Sequence, residues 1–433
     1  MPFRSLGLED RILKAIQEAG YTEPTPIQTA AIPEVLGGRD VIGIAQTGTG
    51  KTAAFVLPIL TQLVRSTREN QRPGTRALII APTRELVVQI EENVRAYARH
   101  LPLRMATVYG GVSERPQIQA LRSGVELVVA TPGRLIDLME QRQTNFSGVE
   151  FLVLDEADRM LDMGFLPPIR QIVRALPAKR QTLLFSASLS REIEALTHEF
   201  QRSPKVIEIG RRANPADTVT QLVYEVRPHL KPALLQHLLA DEQFDTVLVF
   251  TRTKHGADRL ARRLESSGIK AGTIHSNRSQ SQRLRALKDF KSGAVRVLVA
   301  TDVAARGIDV DGISHVVNYD FPMHSEDYVH RIGRTGRAHA VGDAISFVTP
   351  EDQGPLRSLE RFIGRGIVRK RAEGFNYEAA APPREERGRG EPRSSSQNRP
   401  RSNAPNDSNR GPSPRRSGFR AAGQRGGGPH RAR

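Results

Sequence analysis

The apolar run Phe151-Leu152-Val153-Leu154 ends in Asp155-Glu156-Ala157-Asp158, and far upstream stands Ala45-Gln46-Thr47-Gly48-Thr49-Gly50-Lys51-Thr52. Four consecutive large apolar residues suit a strand covered on both faces, and such a strand presents whatever follows it at a sheet edge. The upstream segment suits a tight glycine turn between a strand and a helix beginning near Lys51. Glycines let backbone N–H groups turn toward an anion, a lysine adds positive charge, and a hydroxyl with a carboxylate suits a hard cation. Either segment alone also reads as an ordinary turn. Together they call for a parallel α/β sheet whose strand ends meet at one site, and they point to hydrolysis of a nucleoside triphosphate, ATP or GTP. In this reading residues 45–52 cradle the phosphates, Thr52 and Asp155 hold Mg2+, and Glu156 orients and deprotonates water. Ala45 replaces the first glycine of the usual pattern, which requires a negative φ there.

The chain has 433 residues, enough for two or three domains, and no cysteine, so disulfides and thiolate metal sites are excluded. No apolar run approaches the ~20 residues of a membrane span. The first ten residues lack the basic-then-apolar pattern of a secretory signal, so a soluble cytoplasmic protein is expected. The net charge is +17, and residues 379–433 alone carry 13 Arg against four Asp or Glu. This excess points to a polyanionic partner, nucleic acid first. In the core it reads equally as a solubilising surplus, and the same role stays open for the tail.

Expected strands in the first half are Asp40–Ile44, Ala77–Ala81, Met105–Tyr109, Leu127–Ala130, Phe151–Leu154 and Thr182–Phe185. Helical stretches such as Thr83–His100 and Glu114–Ser123 lie between them. Residues 210–218 lose the pattern and read as a linker. It restarts with Thr246–Phe250, Ala271–Ile274, Val295–Ala300, His315–Asn318 and Ala344–Val348, and a helix over Lys254–Ser267. No second Gly-Lys-Thr loop appears, so this half is expected to act on the first half's nucleotide or on a shared ligand. The fold expected is therefore two tandem α/β domains, each a parallel sheet covered by helices, over 1–209 and 219–377. Residues 378–433, rich in Arg, Gly, Ser and Pro, are expected to remain disordered.

Polar clusters recur where expected strands end: Pro82-Thr83-Arg84-Glu85, Gly110-Gly111, Thr131-Pro132-Gly133-Arg134, Ser186-Ala187-Ser188, Thr301-Asp302 through Asp309, and His330-Arg331-Ile332-Gly333-Arg334-Thr335-Gly336-Arg337. Singly, each is a capped helix start or a turn. In this order, after Gly20-Tyr21-Thr22-Glu23-Pro24-Thr25-Pro26-Ile27-Gln28 with Phe3 upstream, the chain resembles the DEAD-box RNA helicases of superfamily two over about residues 3–350. The short ends and Arg/Gly-rich tail resemble the bacterial RhlE-type branch. Two departures are visible: Ser186-Ala187-Ser188 replaces Ser-Ala-Thr, keeping the hydroxyl, and Leu86-Val87-Val88-Gln89 replaces Leu-Ala-x-Gln.

The resemblance implies two RecA-like domains and ATP rather than GTP. Gln28 would read the adenine edge with Phe3 packing nearby, and residues Ala45, Gln46, Thr47, Gly48, Thr49, Gly50, Lys51 and Thr52 would hold the phosphates. Asp309 would contact the ribose, and Arg334 and Arg337 would be arginine fingers. Asp158, Ser186, Ser188 and His330 would couple domain closure to RNA. Thr83, Arg84, Gly111, Thr131, Arg134, Gln280, Arg283 and Thr301 would line an RNA cleft across both domains. Arginines, hydroxyls and glycine backbone bind phosphate and sugar, and aromatics do not recur in these clusters, so sequence-independent binding is expected. Ribosome-assembly or RNA-decay proteins are further possible partners. Two other functions fit the same residues: an ATP-gated RNA clamp or assembly factor, and an RNA-condensing protein acting mainly through the tail.

Overall fold

A computed structural model of the chain describes residues 2–45, 48–66, 74–209, 219–302, 310, 312–336 and 342–380. The expected linker at 210–218 and the tail from 381 onward lie outside the described residues. Among the described residues, strands β1 (Val41–Ile44), β2 (Ala77–Ile80), β3 (Met105–Val108), β4 (Leu127–Ala130), β5 (Phe151–Leu154), β6 (Gln181–Ser186) and β7 (Lys205–Glu208) form one sheet. Its order is β3-β4-β2-β5-β6-β1-β7, and every pairing is parallel. A second parallel sheet contains β8 (Val219–Glu225), β9 (Val247–Phe250), β10 (Ala271–Ile274), β11 (Val297–Ala300), β12 (His315–Asn318), β13 (Gly342–Val348) and β14 (Val368–Arg369). Its order, β10-β11-β9-β12-β13-β8-β14, repeats the first sheet strand for strand.

The apolar runs are continuous because alternate side chains enter different cores. Val41, Ile79, Val129, Val153 and Leu183 pack under the helices Pro26–Leu36, Lys51–Arg65 and Arg84–Tyr97. Ile42, Leu78, Val128, Leu152 and Leu184 pack on the other face under Pro132–Glu140, Leu166–Arg174 and Arg191–Phe200. The second sheet repeats this, with Val247, Val249 and Val297 on one face and Leu248, Leu298 and Val316 on the other. No described helix is long and apolar enough to cross a membrane.

Three strands escape the apolar-run criterion. β7 exposes every residue but Ile207, β14 exposes both of its residues, and β8 alternates buried with exposed positions. β7 and β14 are terminal strands, where one side chain or none needs covering.

The starting ends of the first sheet carry a charge ladder. In spatial order from β3, the residues preceding the first six strands are Arg104, Glu126, Arg76, Glu150, Arg180 and Asp40, and β7 begins with Lys205. Signs alternate throughout, so no two neighbouring strands bring like charges together. Arg76 grips Glu150 in a fork, Nε to Oε1 at 2.8 Å and one terminal nitrogen to Oε2 at 2.9 Å. Arg104 donates its backbone N–H to Glu126 Oε2 at 2.9 Å, and Asp40 accepts from the backbone N–H groups of Thr182 and Arg202. The ladder orders one sheet edge and leaves the opposite, carboxyl edge for chemistry.

Candidate functional site

At the carboxyl edge, β1 runs into Ala45, whose N–H donates to Ser186 O at the end of β6. Ala45 is not among the non-glycine residues with positive φ, as its place in the loop requires. Gln46 and Thr47 lie outside the described residues. Gly48 and Gly50 hold φ of +83° and +88°, and Gly50 caps the helix Lys51–Arg65 from the left-handed region. A Cβ on Gly50 would stand 2.3 Å from Gln28 Nε2, so glycine is needed for space as well as conformation. Lys51 is 6% exposed and donates from Nζ to Ala45 O at 2.8 Å. Its ammonium thus lies within the loop at a helix N-terminus, where anions are favoured. Thr52, half-buried, sits in the first turn of the same helix.

Asp155 follows β5 and is buried. Burial pushes its carboxyl up to about 7; the Lys51 charge opposes the rise and the Glu156 charge adds to it. A divalent cation would restore the carboxylate. Among the described residues no three His, Asp or Glu side chains cluster as a metal cage. Mg2+ needs none, since one or two carboxylates, substrate phosphates and water complete its shell. The donor set of Thr52 and Asp155 fits that ion.

Glu156 adopts φ 52° and ψ 52°, the left-handed region that non-glycine residues rarely enter. Its N–H donates to Asp155 Oδ1 at 3.0 Å, and its Oε2 accepts from Arg159 at 2.5 Å. Both side chains of this ion pair are 6% exposed. Asp158 accepts from the Arg159 N–H through Oδ1 and from the Ala187 N–H through Oδ2 at 3.1 Å. Ser186 is fully buried, and its Oγ accepts from the Ser188 N–H. The carboxylate segment after β5 is therefore tied to the serine segment after β6.

Gln28 lies in the helix Pro26–Leu36 and is 1% exposed. Its Oε1 accepts from the Thr25 N–H at 2.9 Å and its Nε2 donates to Gly50 O at 3.1 Å. One lone pair and one N–H of the amide remain for a ligand. Phe3 is buried edge-on against Tyr21, whose hydroxyl meets that of Tyr97 at 2.8 Å.

Four of the candidate RNA residues, Arg84, Arg134, Gln280 and Arg283, gather around one carboxylate that sequence reasoning did not single out. Glu85 is 1% exposed; it accepts from Gln280 Nε2 at 2.8 Å and pairs with Arg283 at 3.0 Å. Glu85 belongs to the first half and its partners to the second, so the contact joins the two sheets' domains. Gln280 Oε1 and Arg283 Nε are buried without a hydrogen-bond partner among the described residues. Arg84 packs on Gly110 and Gly111; its guanidinium is shifted down by burial and then by the neighbouring Arg283 charge. Arg134 donates to Val112 O. Thr83 and Thr131 cap helices, Thr83 accepting from the Leu86 N–H, and Thr301 follows β11.

In the second domain Arg334 is 5% exposed, and His330 is half-buried on the helix Ser325–Ile332. Arg337 and Asp309 lie outside the described residues. Arg331 was given no role from sequence. It grips Asp302 bidentately at 2.5 and 2.7 Å, donates to Asn318 Oδ1 and Asp320 O, and lies 5.0 Å from the Phe250 ring centre. It is a structural rivet of that domain. Arg159 and Glu85 were missed for a related reason: each is a charge whose partner appears only once a helix turns or a domain closes.

The family description DEAD/DEAH box helicase matches residues 25–196, and that of the helicase conserved C-terminal domain matches 230–339. DEAD-box ATP-dependent RNA helicase 30 of Arabidopsis thaliana is 47% identical over 366 residues, 83% of this chain. The chain spans 61% of that relative's length. DEAD-box ATP-dependent RNA helicase CshA of Bacillus cereus is 41% identical over 367 residues, 85% of this chain and 69% of the relative. Among solved structures, S. cerevisiae Dbp5 bound to RNA and ADP BeF3 is 30% identical with a TM-score of 0.74, covering 85% of this chain and 95% of Dbp5.

Proposed function

The chain belongs to the DEAD-box ATP-dependent RNA helicases, and from that membership we propose that its two domains close on ATP and single-stranded RNA and part short duplexes locally. Residues 45–52 hold the triphosphate, Gln28 reads the adenine, Phe3 packs nearby, and Asp309 takes the ribose. Thr52 and Asp155 hold Mg2+, which when bound screens phosphate charge. Glu156 accepts a proton from the water that attacks the γ-phosphorus, and ADP leaves. Arg334 and Arg337 balance the charge that develops as the bond breaks.

RNA lies along Thr83, Arg84, Gly111, Thr131, Arg134, Gln280, Arg283 and Thr301, held by its backbone and not read by sequence. Asp158, Ser186, Ser188 and His330 transmit closure to the nucleotide. The observation that carries this reading is the Glu85 contact: residues proposed to bind RNA are themselves the link between domains. Two buried polar atoms of that link, Gln280 Oε1 and Arg283 Nε, await partners, and an RNA sugar or phosphate supplies them. Placement in the RhlE-type branch rests on the basic Arg/Gly-rich tail, and a cytoplasmic location on the absence of cysteine and of long apolar runs.

Steady-state ATP hydrolysis measured without nucleic acid, with single-stranded RNA and with DNA of the same sequence tests the proposal. Stimulation by RNA above DNA is expected. Equal stimulation by both would remove RNA selectivity, and stimulation by neither would remove coupled closure.

A further inference from the structure

Glu156 has an unusual start for a base. Its backbone is left-handed, and nothing in that conformation directs the side chain toward a water. Its two oxygens differ: Oε2 is held by Arg159 at 2.5 Å, while Oε1 has no hydrogen-bond partner among the described residues. Arg159 is 5% exposed, and Glu156 is the one hydrogen-bond partner of its guanidinium among the described residues. The two lie three positions apart across the first turn of the helix Ala157–Asp162, so the pair forms only when that turn is in place. The next residue back, Asp158, ties the same turn to Ala187. A guanidinium buried for one carboxylate, on a turn fixed from its other side, is poor economy for stability alone, since buried pairs seldom outperform apolar packing.

We propose that Arg159 is a positioning residue for Glu156: it anchors Oε2 so that Oε1 faces the attacking water. The proposal rests on the assignment of Glu156 as base. Misplacing a reacting group by about 1 Å costs roughly 100-fold in rate, and Arg159 is what prevents that displacement.

The test is RNA-saturated ATP hydrolysis by the full chain carrying Arg159→Met, Arg159→Lys, Glu156→Gln, or Glu156→Gln with Arg159→Met. Fluorescent-nucleotide binding and thermal melting are measured on the same samples. Arg159→Met is expected to lower kcat about 100-fold while KM for ATP and nucleotide affinity move less than about threefold. Arg159→Lys, which keeps the charge, recovers part of the loss. The double variant is no slower than Glu156→Gln alone, because Arg159 acts through Glu156. Wild-type kcat in Arg159→Met, with Glu156→Gln inactive, would overturn the positioning role and leave the base standing. Loss of kcat together with nucleotide affinity and melting temperature, unrelieved by lysine, would overturn it in favour of a structural pair. Retained hydrolysis in Glu156→Gln would instead remove the base assignment, and the inference with it.

Discussion

Replacing Glu85 by Gln keeps the side chain's shape and removes its charge. In the folded chain this carboxylate faces Arg283 at 3.0 Å and is the neighbouring anion for Arg84, which also feels the Arg134 charge. Without it, Arg84 and Arg283 share a half-buried corner with no counter-charge of their own, beside Arg134, which keeps only Asp137 at 3.9 Å. Two unit charges 4 Å apart interact by about 4 kcal/mol at an effective dielectric constant of 20. Breaking a buried pair by removing one partner costs a similar ~3–5 kcal/mol. The molecule can escape that cost, because parting the domains returns Arg283 to water. The observable loss is therefore capped by the free energy of closure, and it appears as closure lost and not as unfolding. We expect the RNA concentration for half-maximal ATPase stimulation to rise between ~10- and ~1000-fold at ~1.4 kcal/mol per decade. Nucleotide affinity of the open form, which rests on the proposed phosphate loop and Gln28 of the first domain, stays near its wild-type value. The assay is an RNA titration of ATP hydrolysis, with energy transfer between a dye on each domain reporting closure. A half-saturation equal to or tighter than wild type would refute a closing role for the Glu85–Arg283 pair and mean that Glu85 competes with RNA for Arg283.

Gly111→Ala places a methyl carbon 1.9 Å from a terminal nitrogen of Arg84 at a φ of +79°. The left-handed alanine costs about 1–2 kcal/mol, and the displaced guanidinium should weaken RNA binding about tenfold, read by filter binding, with RNA-free hydrolysis unchanged. Arg331→Met leaves Asp302 unpaired and should destabilise the second domain by ~3–5 kcal/mol in thermal melts. Arg334→Met in the same experiment should lose hydrolysis while its melting temperature falls less than that of Arg331→Met, and equal melting of both variants would contradict this division of roles. Arg76→Ala breaks the fork to Glu150 and should lower the first domain's stability by ~1–3 kcal/mol with turnover per folded molecule unchanged. A fall in turnover would show that the ladder reaches the active edge.

What the sequence made legible follows from which features are local. Phe151–Leu154 and Val297–Ala300 read as strands because burial on both faces leaves no polar position to disguise them. The glycine loop was readable because Gly48, Gly50 and Lys51 are adjacent in the chain and each is needed for its own backbone or charge. β8 was not readable, since its alternation is interrupted by Tyr224 and it follows directly on a segment without periodicity. Glu85 looked like the first-turn acid that any helix favours; its partners lie about two hundred residues away, visible only in the folded chain. Arg331 stood inside a run of arginines whose members differ only in what they touch. The adenine role proposed for Gln28 came only through resemblance, and its bond to Gly50 O, which ties it to the glycine loop, came from the fold.

The repeated strand order lets the proposed phosphate site of the first sheet be compared with the same place in the second. The helix after β1 begins at Lys51, and the helix after β8, the equivalent strand, begins at Lys231. Both lysines are buried. Asp155 follows β5, and Asp320 follows the equivalent β12 by two residues. Thus the second domain keeps a lysine and an aspartate near the places where the first has Lys51 and Asp155, the proposed phosphate lysine and metal carboxylate. What differs is the connection. Between β8 and its helix there is no glycine of positive φ, and a 3-10 turn over Pro228–Leu230 buries Leu230 where a loop of N–H groups would have to open. Lys231 then spends its charge inside the domain, 3.5 Å from Asp320 Oδ1 and 5.7 Å from the Tyr319 ring centre. A lysine and an acid at the right strand ends are therefore not sufficient for a nucleotide site. The glycine turn that exposes the backbone decides it, and closing that turn turns the same pair of charges into internal structure.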